Sequence, residues 1–249
     1  MRDDPRLHLQ PGVPIEPGTE LPLRADQAHY LGTVMRRAPG DGVVLFNERD
    51  GEWRGRLHAI RRDRAAVLVE ERLRPPVPEP GPVLLFAPIK RDPTDLMIRM
   101  ATELGARAFW PVQTERTNTP RINADRLAAI AREAAEQCER LSVPPVEPLC
   151  RLGEALDRWS ARNGAPRLLA AIEPWHADGR AAPPIRDWRA AAGTDDAAGL
   201  GVLIGPEGGF TPAELDALRR RSFVVPVSLG PRVLRADTAA AAALASLIG

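Results

Sequence analysis

The chain has few of the residues that build metal sites and disulfide frameworks. Its two cysteines, Cys138 and Cys150, have the spacing of neither. The four histidines form no cluster along the sequence, so we assign them no catalytic role and expect no metal ion. Two unpaired cysteines suit a reducing compartment, and we therefore expect a cytoplasmic protein.

Long apolar runs and an excess of charge of one sign are also missing. No run approaches the length of a transmembrane helix, and the N-terminal stretch MRDDPRLHLQ lacks the apolar core of a signal peptide. We therefore expect no membrane partner. The formal net charge is +1, so a nucleic-acid site has to come from local basic patches.

A proline-rich stretch, RPPVPEPGP, divides the chain and predicts a semi-rigid linker over residues 74–82. Before it, residues 1–73 show short apolar runs broken by turn signals, which predict a small β-rich domain. After it, residues 83–249 alternate strand and helix patterns, which predict a mostly parallel sheet with helices on both faces. The 44% hydrophobic composition over 249 residues suffices for two modest cores.

The β-rich domain carries the basic residues expected to contact RNA. The main candidates are Arg36, Arg37, Arg54 and Arg56, and the same region also holds Arg61, Arg62 and Arg64. These charges fit a solvated face equally well. One helix is predicted here, over DQAHYLGTVMR, with Asp26 as its N-cap.

The stretch GVLIGPEGGFTPAEL, residues 201–215, places a glycine-rich turn around Glu207 between a buried strand and a helix. It matches neither the dinucleotide fingerprint nor the phosphate-binding P-loop. Thr211 is the predicted N-cap, followed by Pro212 in the first turn and Glu214. Glycines admit a ligand close to the main chain, although an ordinary strand-turn-helix would have the same pattern.

Three strand ends in the second domain are similar: AIEP, GPEGG and LGPRVLRADTA. Ligands in open α/β sheets bind at the carboxyl ends of strands. Loops of this composition favour a nucleoside-type ligand held by backbone groups.

Lys90 is the only lysine of the chain, and it ends the apolar run VLLFAPIK. In a chain that otherwise uses arginine, this indicates a position where a compact cation is needed at a strand end. Chance survival of one lysine is the alternative.

Four motifs, LIGPEGGF, LGPRVLRADTA, EAAEQCER and ATELG, together resemble the 16S ribosomal RNA (uracil-N3) methyltransferase family, of the SPOUT class of trefoil-knotted methyltransferases. The resemblance covers nearly the whole chain in the right order. It implies a PUA-like N-terminal β-barrel, a knotted C-terminal domain and a homodimer. It also implies 16S ribosomal RNA as substrate, in the assembled small subunit.

The resemblance further implies that S-adenosylmethionine binds in the knot. The residues placed around it are Ile204, Gly205, Glu207, Gly208, Leu229, Gly230, Val233 and Leu234. The alanine-rich end, residues 239–245, would allow tight threading and close dimer packing; high helix propensity alone is the alternative.

The catalytic candidates are arginines and carboxylates, with Lys90 on the substrate side. Arg235 or Arg140 is expected to stabilise the charge that develops on uracil, because a guanidinium is always charged. Glu207 or Asp237 is expected to orient an arginine or accept the N3 proton. The alternatives are a helix-surface ion pair for Arg140 and a helix N-cap for Asp237.

The chain departs from the family in places. The family more often has glutamate at the position of Asp237, a glycine after Lys90, and lysine at the position of Met100. Two other functions share this fold: a methyltransferase acting on transfer RNA, and an RNA-binding protein without turnover.

Overall fold

The computed structural model describes residues 4–12, 14–119, 121–162, 166–172, 182–187 and 199–247. The chain forms two compact units. The first contains Met1–Glu79 and Ala135–Val143, and the second contains Pro80–Ala134 and Pro144–Gly249. The sequence did not predict that Ala135–Val143 belongs to the first unit, because the helical pattern of the preceding residues continues into this stretch.

The first unit is a five-stranded sheet in the order β1-β3-β4-β5-β2. Its elements are β1 (Arg6–His8), β2 (Glu20–Leu23), α1 (Ala25–His29), a π-helical turn (Tyr30–Val34), β3 (Gly42–Asn47), β4 (Gly51–Arg61) and β5 (Arg64–Arg74). β1 pairs with β3 in parallel, and the other pairs are antiparallel. Alternate residues of these strands, such as Leu21, Leu45 and Val67, form the core of the unit.

The predicted start of α1 is wrong by two residues. The N-cap is Arg24, whose backbone N–H donates to the Gln27 side chain over 3.2 Å. Asp26 instead lies in the first turn and pairs with the Arg24 guanidinium. Because the Gln27 amide also donates to the His8 carbonyl, 2.9 Å away, Gln27 fixes the helix start to β1.

Arg6 attaches the end of a later helix to this sheet. Its guanidinium donates to the carbonyls of Ala135, Glu136 and Arg140 at 3.2, 2.9 and 3.1 Å. Carbonyls at a helix end lack intrahelical partners and carry partial negative charge, so a cation there is stabilising. Arg6 also donates to Glu52 over 2.7 Å, which keeps the guanidinium in place.

The second unit is a six-stranded sheet whose strand pairs are all parallel, in the order β11-β9-β10-β6-β7-β8. Its strands are β6 (Val83–Phe86), β7 (Ala108–Gln113), β8 (Cys150–Arg151), β9 (Leu168–Ala171), β10 (Gly201–Ile204) and β11 (Val224–Val227). Its helices are α2 (Arg91–Glu103), α3 (Ala124–Gln137, shared with the first unit), α4 (Leu152–Ser160), α5 (Pro212–Arg219) and α6 (Ala236–Leu247). The predicted alternation and parallel sheet are confirmed.

The strands of the second unit are short and buried, as parallel strands covered on both faces require. All four residues of β6 and of β10 are buried. Trp159 of α4 lies fully buried in the core beside these strands, and its indole N–H donates to the Pro166 carbonyl over 2.6 Å. The helix α6 packs against α2 and β10.

Candidate active site at the carboxyl edge of the parallel sheet

The strand order brings the candidate loops to one edge of the second unit. β11, β9, β10, β6 and β7 are consecutive neighbours and all run in one direction. Their carboxyl ends, and the loops that follow, therefore lie side by side, where α/β sheets bind ligands. Of the strand end AIEP, Glu173 and Pro174 lie outside the described residues.

The turn after β10 is rich in glycine, and part of its backbone is not covered by side chains. A Cβ on Gly205 would lie 2.6 Å from the Phe210 ring, so a larger residue would require the ring to move. Gly209 has φ +66°, and no described atom beyond its chain neighbours lies within 4 Å of the place where a side chain would start. Its N–H donates to the Pro206 carbonyl over 2.9 Å, which closes the turn.

The acidic group held by this turn is Glu214, and Glu207 is exposed. Thr211 and Glu214 form the capping box expected from their spacing, with the Thr211 N–H 2.9 Å from the carboxylate. The other carboxylate oxygen accepts the backbone N–H of Glu115 at 2.8 Å. Glu207 forms no side-chain hydrogen bond or ion pair with any residue that the structure describes, which leaves its carboxylate available to a ligand.

The loop after β7 contacts the two neighbouring loops, and the sequence did not predict these contacts. Arg116 donates to the Gly208 carbonyl over 2.7 Å. From the same loop, the Thr119 hydroxyl donates to the Ile89 carbonyl over 3.0 Å. The loop thus connects the turn after β10 to the loop after β6, and the only sequence signal for it is its position at the end of a neighbouring parallel strand.

The loop after β11 presents a second stretch of bare backbone. Gly230 has φ +115°, and the place where its side chain would start has open space around it within the described chain. Its N–H donates to the Ser228 hydroxyl over 3.2 Å. Leu229 and Leu234 are half-buried, whereas Val233 is fully exposed. An apolar side chain in this position is free to cover a ligand.

Two of the candidate catalytic cations stand at the same edge without side-chain partners among the described residues. They are Lys90, after β6, and Arg235, before α6, and both are exposed. The Arg235 carbonyl accepts the Ala239 N–H at 2.7 Å, so the backbone of Arg235 begins the helix. The alternative of Asp237 as N-cap is therefore wrong: Asp237 lies in the first turn and accepts the Thr238 N–H at 2.8 Å.

Arg140 lies in the first unit, where it is 8% exposed. Its guanidinium is 3.5 Å from the Glu79 carboxylate and 3.0 Å from the Ser142 hydroxyl. Glu79 also accepts the backbone N–H groups of Leu141 and Ser142, at 2.9 and 3.0 Å. These contacts give Arg140 a structural role in attaching Ala135–Val143.

Burial raises the pKa of Glu79, but the hydrogen bonds from Ser142 and Leu141 and the charge of Arg140 more than offset it. The pKa of Glu79 therefore lies below its ordinary value. The same balance holds for the pKa of Glu52, where burial is outweighed by Arg74 and Arg6.

The candidate RNA-binding arginines differ in availability. Arg54 pairs with Glu71, and Arg56 pairs with Glu70 at 2.6 Å, across β4 and β5. Arg36 is exposed, with φ +54°, and Arg37 is half-buried. Arg61, Arg62 and Arg64, at the tip of the β4–β5 hairpin, are exposed and have no ion-pair partner in the described part of the chain.

Within the described ranges, no cluster of histidine, cysteine or acidic residues is arranged to hold a metal ion. No helix in these ranges has the length and apolarity needed to span a bilayer.

Comparison with known protein families first shows the class of protein to which the chain belongs. Residues 78–248 match the family described as RNA methyltransferase domain, and residues 23–70 match the RNA methyltransferase PUA domain. The glycine-rich edge thus belongs to the methyltransferase domain of an RNA-modifying enzyme.

Two relatives and one solved structure narrow the class. Ribosomal RNA small subunit methyltransferase E of Synechocystis sp. is 33% identical over 246 residues, 97% of this chain and 76% of that protein. The protein of the same name from Rickettsia conorii is 32% identical over 230 residues, 92% and 89% of the two chains. The crystal structure of a ribosomal RNA small subunit methyltransferase E from Neisseria gonorrhoeae, bound to S-adenosyl methionine, has a TM-score of 0.78 at 26% identity, covering 98% and 96%.

The chain belongs to the family of ribosomal RNA small subunit methyltransferase E proteins. The family and the fold class expected from the four motifs are confirmed. The trefoil knot stays a prediction.

Proposed function

We propose that the protein transfers a methyl group from S-adenosylmethionine to N3 of a uridine in the 16S RNA of the small ribosomal subunit. The observation that supports this most is the edge of the parallel sheet, where two open glycine loops lie beside the candidate side chains of Lys90, Glu207 and Arg235, none of which has a side-chain partner in the described chain. Family membership supports the substrate, since both relatives are small-subunit ribosomal RNA methyltransferases. The related structure with bound S-adenosyl methionine supports the cofactor.

The loops after β10 and β11 fit a planar nucleoside-type cofactor. The left-handed glycines Gly209 and Gly230 have open space beside them, so a ligand can reach the main chain there. The residues we assign to the cofactor are Ile204, Gly205, Glu207, Gly208, Leu229, Gly230, Val233 and Leu234. Because Val233 is fully exposed, we expect its side chain to cover the cofactor once it is bound.

The chemistry requires that uracil N3 lose its proton before it can act as a nucleophile. S-adenosylmethionine supplies the methyl group on a sulfonium sulfur, which keeps the bonding electron pair when N3 takes the methyl carbon. Arg235 stabilises the negative charge that develops on the base, because its guanidinium is exposed and always charged. Glu207 or Asp237 takes the proton; Asp237 is anchored through one oxygen by the Thr238 N–H, which leaves the other free.

We also propose that the protein works as a homodimer on the assembled small subunit. Four alanines of α6, Ala239, Ala241, Ala242 and Ala245, are not fully buried in the single chain, so a second copy could approach this helix closely. Light scattering at working concentration tests this, and an active monomer would contradict it.

The test of the proposed function is methyl transfer from labelled S-adenosylmethionine to purified small subunits, with the modified base identified by mass spectrometry. We expect N3-methyluridine in the small-subunit RNA and no transfer to transfer RNA. Transfer to transfer RNA alone would favour the other enzymatic function of this fold. Binding of RNA without any transfer would favour a protein that has lost turnover.

A further inference from the structure

A pocket of about 340 Å³ lies in the second unit, between the loop after β6 and the segment that leads into α3. Its polar lining consists of Arg91, Thr94, Thr119, Arg121, Asn123 and Arg126. None of the lining residues that the structure describes is acidic. This volume lies at the lower end of the range of about 300–1,000 Å³ that is usual for ligand pockets.

Two of the three arginines have their charge available. Arg126 pairs with Asp95, so its charge is largely compensated. Arg91 and Arg121 are exposed, and neither forms an ion pair with a described residue. The nearby carboxylates of Asp92 and Asp125 are exposed and are not part of the lining. The pocket therefore has a net positive lining.

The walls of the pocket are fixed by hydrogen bonds. The hydroxyls of Thr94 and Thr119 both donate to the Ile89 carbonyl, at 3.1 and 3.0 Å, and so connect two separate segments. Asn123 caps α3, with its side-chain oxygen 3.0 Å from the Arg126 N–H. The pocket thus exists before a ligand arrives, which lowers the entropy cost of binding.

Two helices also begin at this pocket. The lining includes Arg91, the first residue of α2, and Asn123, the cap of α3. These helices have 13 and 14 residues, and the free N–H groups at a helix start attract anions. This effect adds to the attraction that the arginines exert on an anion.

We propose that this pocket binds a backbone phosphate of the substrate RNA, next to the nucleotide that is methylated. The identity of the RNA rests on the proposed function, whereas the assignment of a phosphate to this site rests on the pocket itself. The exposed guanidiniums of Arg91 and Arg121 can each donate two parallel hydrogen bonds to one phosphate group. Because Ile89 and Arg91 of the lining flank Lys90, the pocket directly adjoins the candidate active site.

The test compares Arg91→Ala, Arg121→Ala and Arg121→Lys with the control Arg99→Ala, an exposed arginine on α2 outside the pocket. Binding of small subunits is measured at several salt concentrations, together with S-adenosylmethionine affinity and single-turnover methylation. We expect each pocket alanine variant to weaken subunit binding about tenfold, as for loss of one charge-assisted hydrogen bond. The slope of log affinity against log salt should fall by about one, while cofactor affinity stays unchanged.

Arg121→Lys should retain part of the affinity, since it keeps the charge and loses only the planar fork. Arg99→Ala should behave as the wild type. Pocket variants that match Arg99→Ala in affinity and salt slope would overturn the proposal.

Binding of inorganic phosphate, measured by calorimetry, distinguishes a site for an RNA backbone phosphate from a site for a free phosphate ion. Loss of phosphate binding in the variants with unchanged subunit binding would show a free-anion site and overturn the assignment to RNA. If the wild type transfers no methyl group to small subunits, the proposed function fails. If it does and the pocket variants still bind normally, only the phosphate assignment fails.

Discussion

Arg235 and Lys90 stand at the same sheet edge as exposed cations, yet they offer different chemistry. A guanidinium is planar and always charged, which suits stabilising a charge spread over two carbonyl oxygens and a nitrogen. An ammonium is a compact point charge on a flexible stem. The two residues are therefore tested by different substitutions.

Replacing Arg235 by alanine should lower the single-turnover rate of methylation by roughly a hundredfold or more, as for removal of one charge-stabilising donor. Cofactor affinity should change less, because we assign the adenine to backbone groups. Arg220→Ala, at the exposed arginine that caps the end of α5, is the control. An unchanged rate with collapsed cofactor binding would make Arg235 a cofactor-binding residue.

Replacing Lys90 by arginine keeps the charge and should still slow methylation at least about tenfold, or roughly 1.4 kcal/mol of transition-state binding. We expect the wider guanidinium to fit less well than a compact ammonium against the substrate. The variant should fold and bind cofactor normally because Lys90 is exposed. A wild-type rate, equal to that of the reverse control Arg99→Lys, would mean that any cation serves at this position.

At the scale of elements, the end of α3 depends on groups far away in sequence. Glu139 has φ +61° at the helix end, a conformation that favours glycine. Arg6 neutralises the terminal carbonyls, and Glu79 accepts two N–H groups of the segment that follows. Sequence periodicity predicts α3 itself but contains no information about these long-range contacts.

Glu79→Gln should weaken this attachment at neutral pH by about 1.5–3 kcal/mol, the range for hydrogen bonds to a charged group. The pKa of Glu79 is lowered in the folded state. Its contribution is therefore present above the unfolded pKa of about 4.3 and is lost as pH falls through the lower folded value. Hydrogen exchange of the Leu141 and Ser142 amides should show lower protection in the variant at pH 7, and the difference should vanish in acid.

The control for this experiment is Glu71→Gln, at an exposed carboxylate that pairs with Arg54. Protection of Leu141 and Ser142 that is equal in Glu79→Gln and the wild type at pH 7 would show that the carboxylate charge is not needed.

At the scale of the whole molecule, the first unit is built from two separate stretches of the sequence, Met1–Glu79 and Ala135–Val143. A variant lacking the residues before Arg74 would lose the strands of the first unit up to most of β5, together with Arg6, which donates to the carbonyls of Ala135, Glu136 and Arg140. Deleting the first domain is therefore a poor test of RNA binding. Point substitutions on its surface are the better choice.

Replacing Arg61, Arg62 and Arg64 together by alanine should weaken RNA binding and lower the salt slope by up to about two, at about 0.7 per phosphate contact on single strands. The paired double variant Arg54→Ala, Arg56→Ala is the control and should have the smaller effect, since Glu71 and Glu70 already offset those charges. A larger effect from the paired arginines would place the RNA on the hairpin face instead of its tip.

Much of the second unit could be predicted from local patterns, because short apolar runs, the Thr211 cap and glycine turns are local signals. The roles of Arg116, Glu214 and Arg140 could not. Each depends on contacts between segments that only the strand order or the fold of the first unit brings together. The pocket beside Lys90 was missed for the same reason.

Methylation of the small-subunit RNA in the cell can be read by mass spectrometry in strains of the source organism with and without the gene. We expect one N3-methylated uridine to be missing from 16S RNA in the deletion strain. It should return on complementation with the wild type and stay absent with Arg235→Ala. An unchanged pattern of 16S modifications in the deletion strain, or loss of a transfer RNA modification in its place, would contradict the proposed methyl transfer.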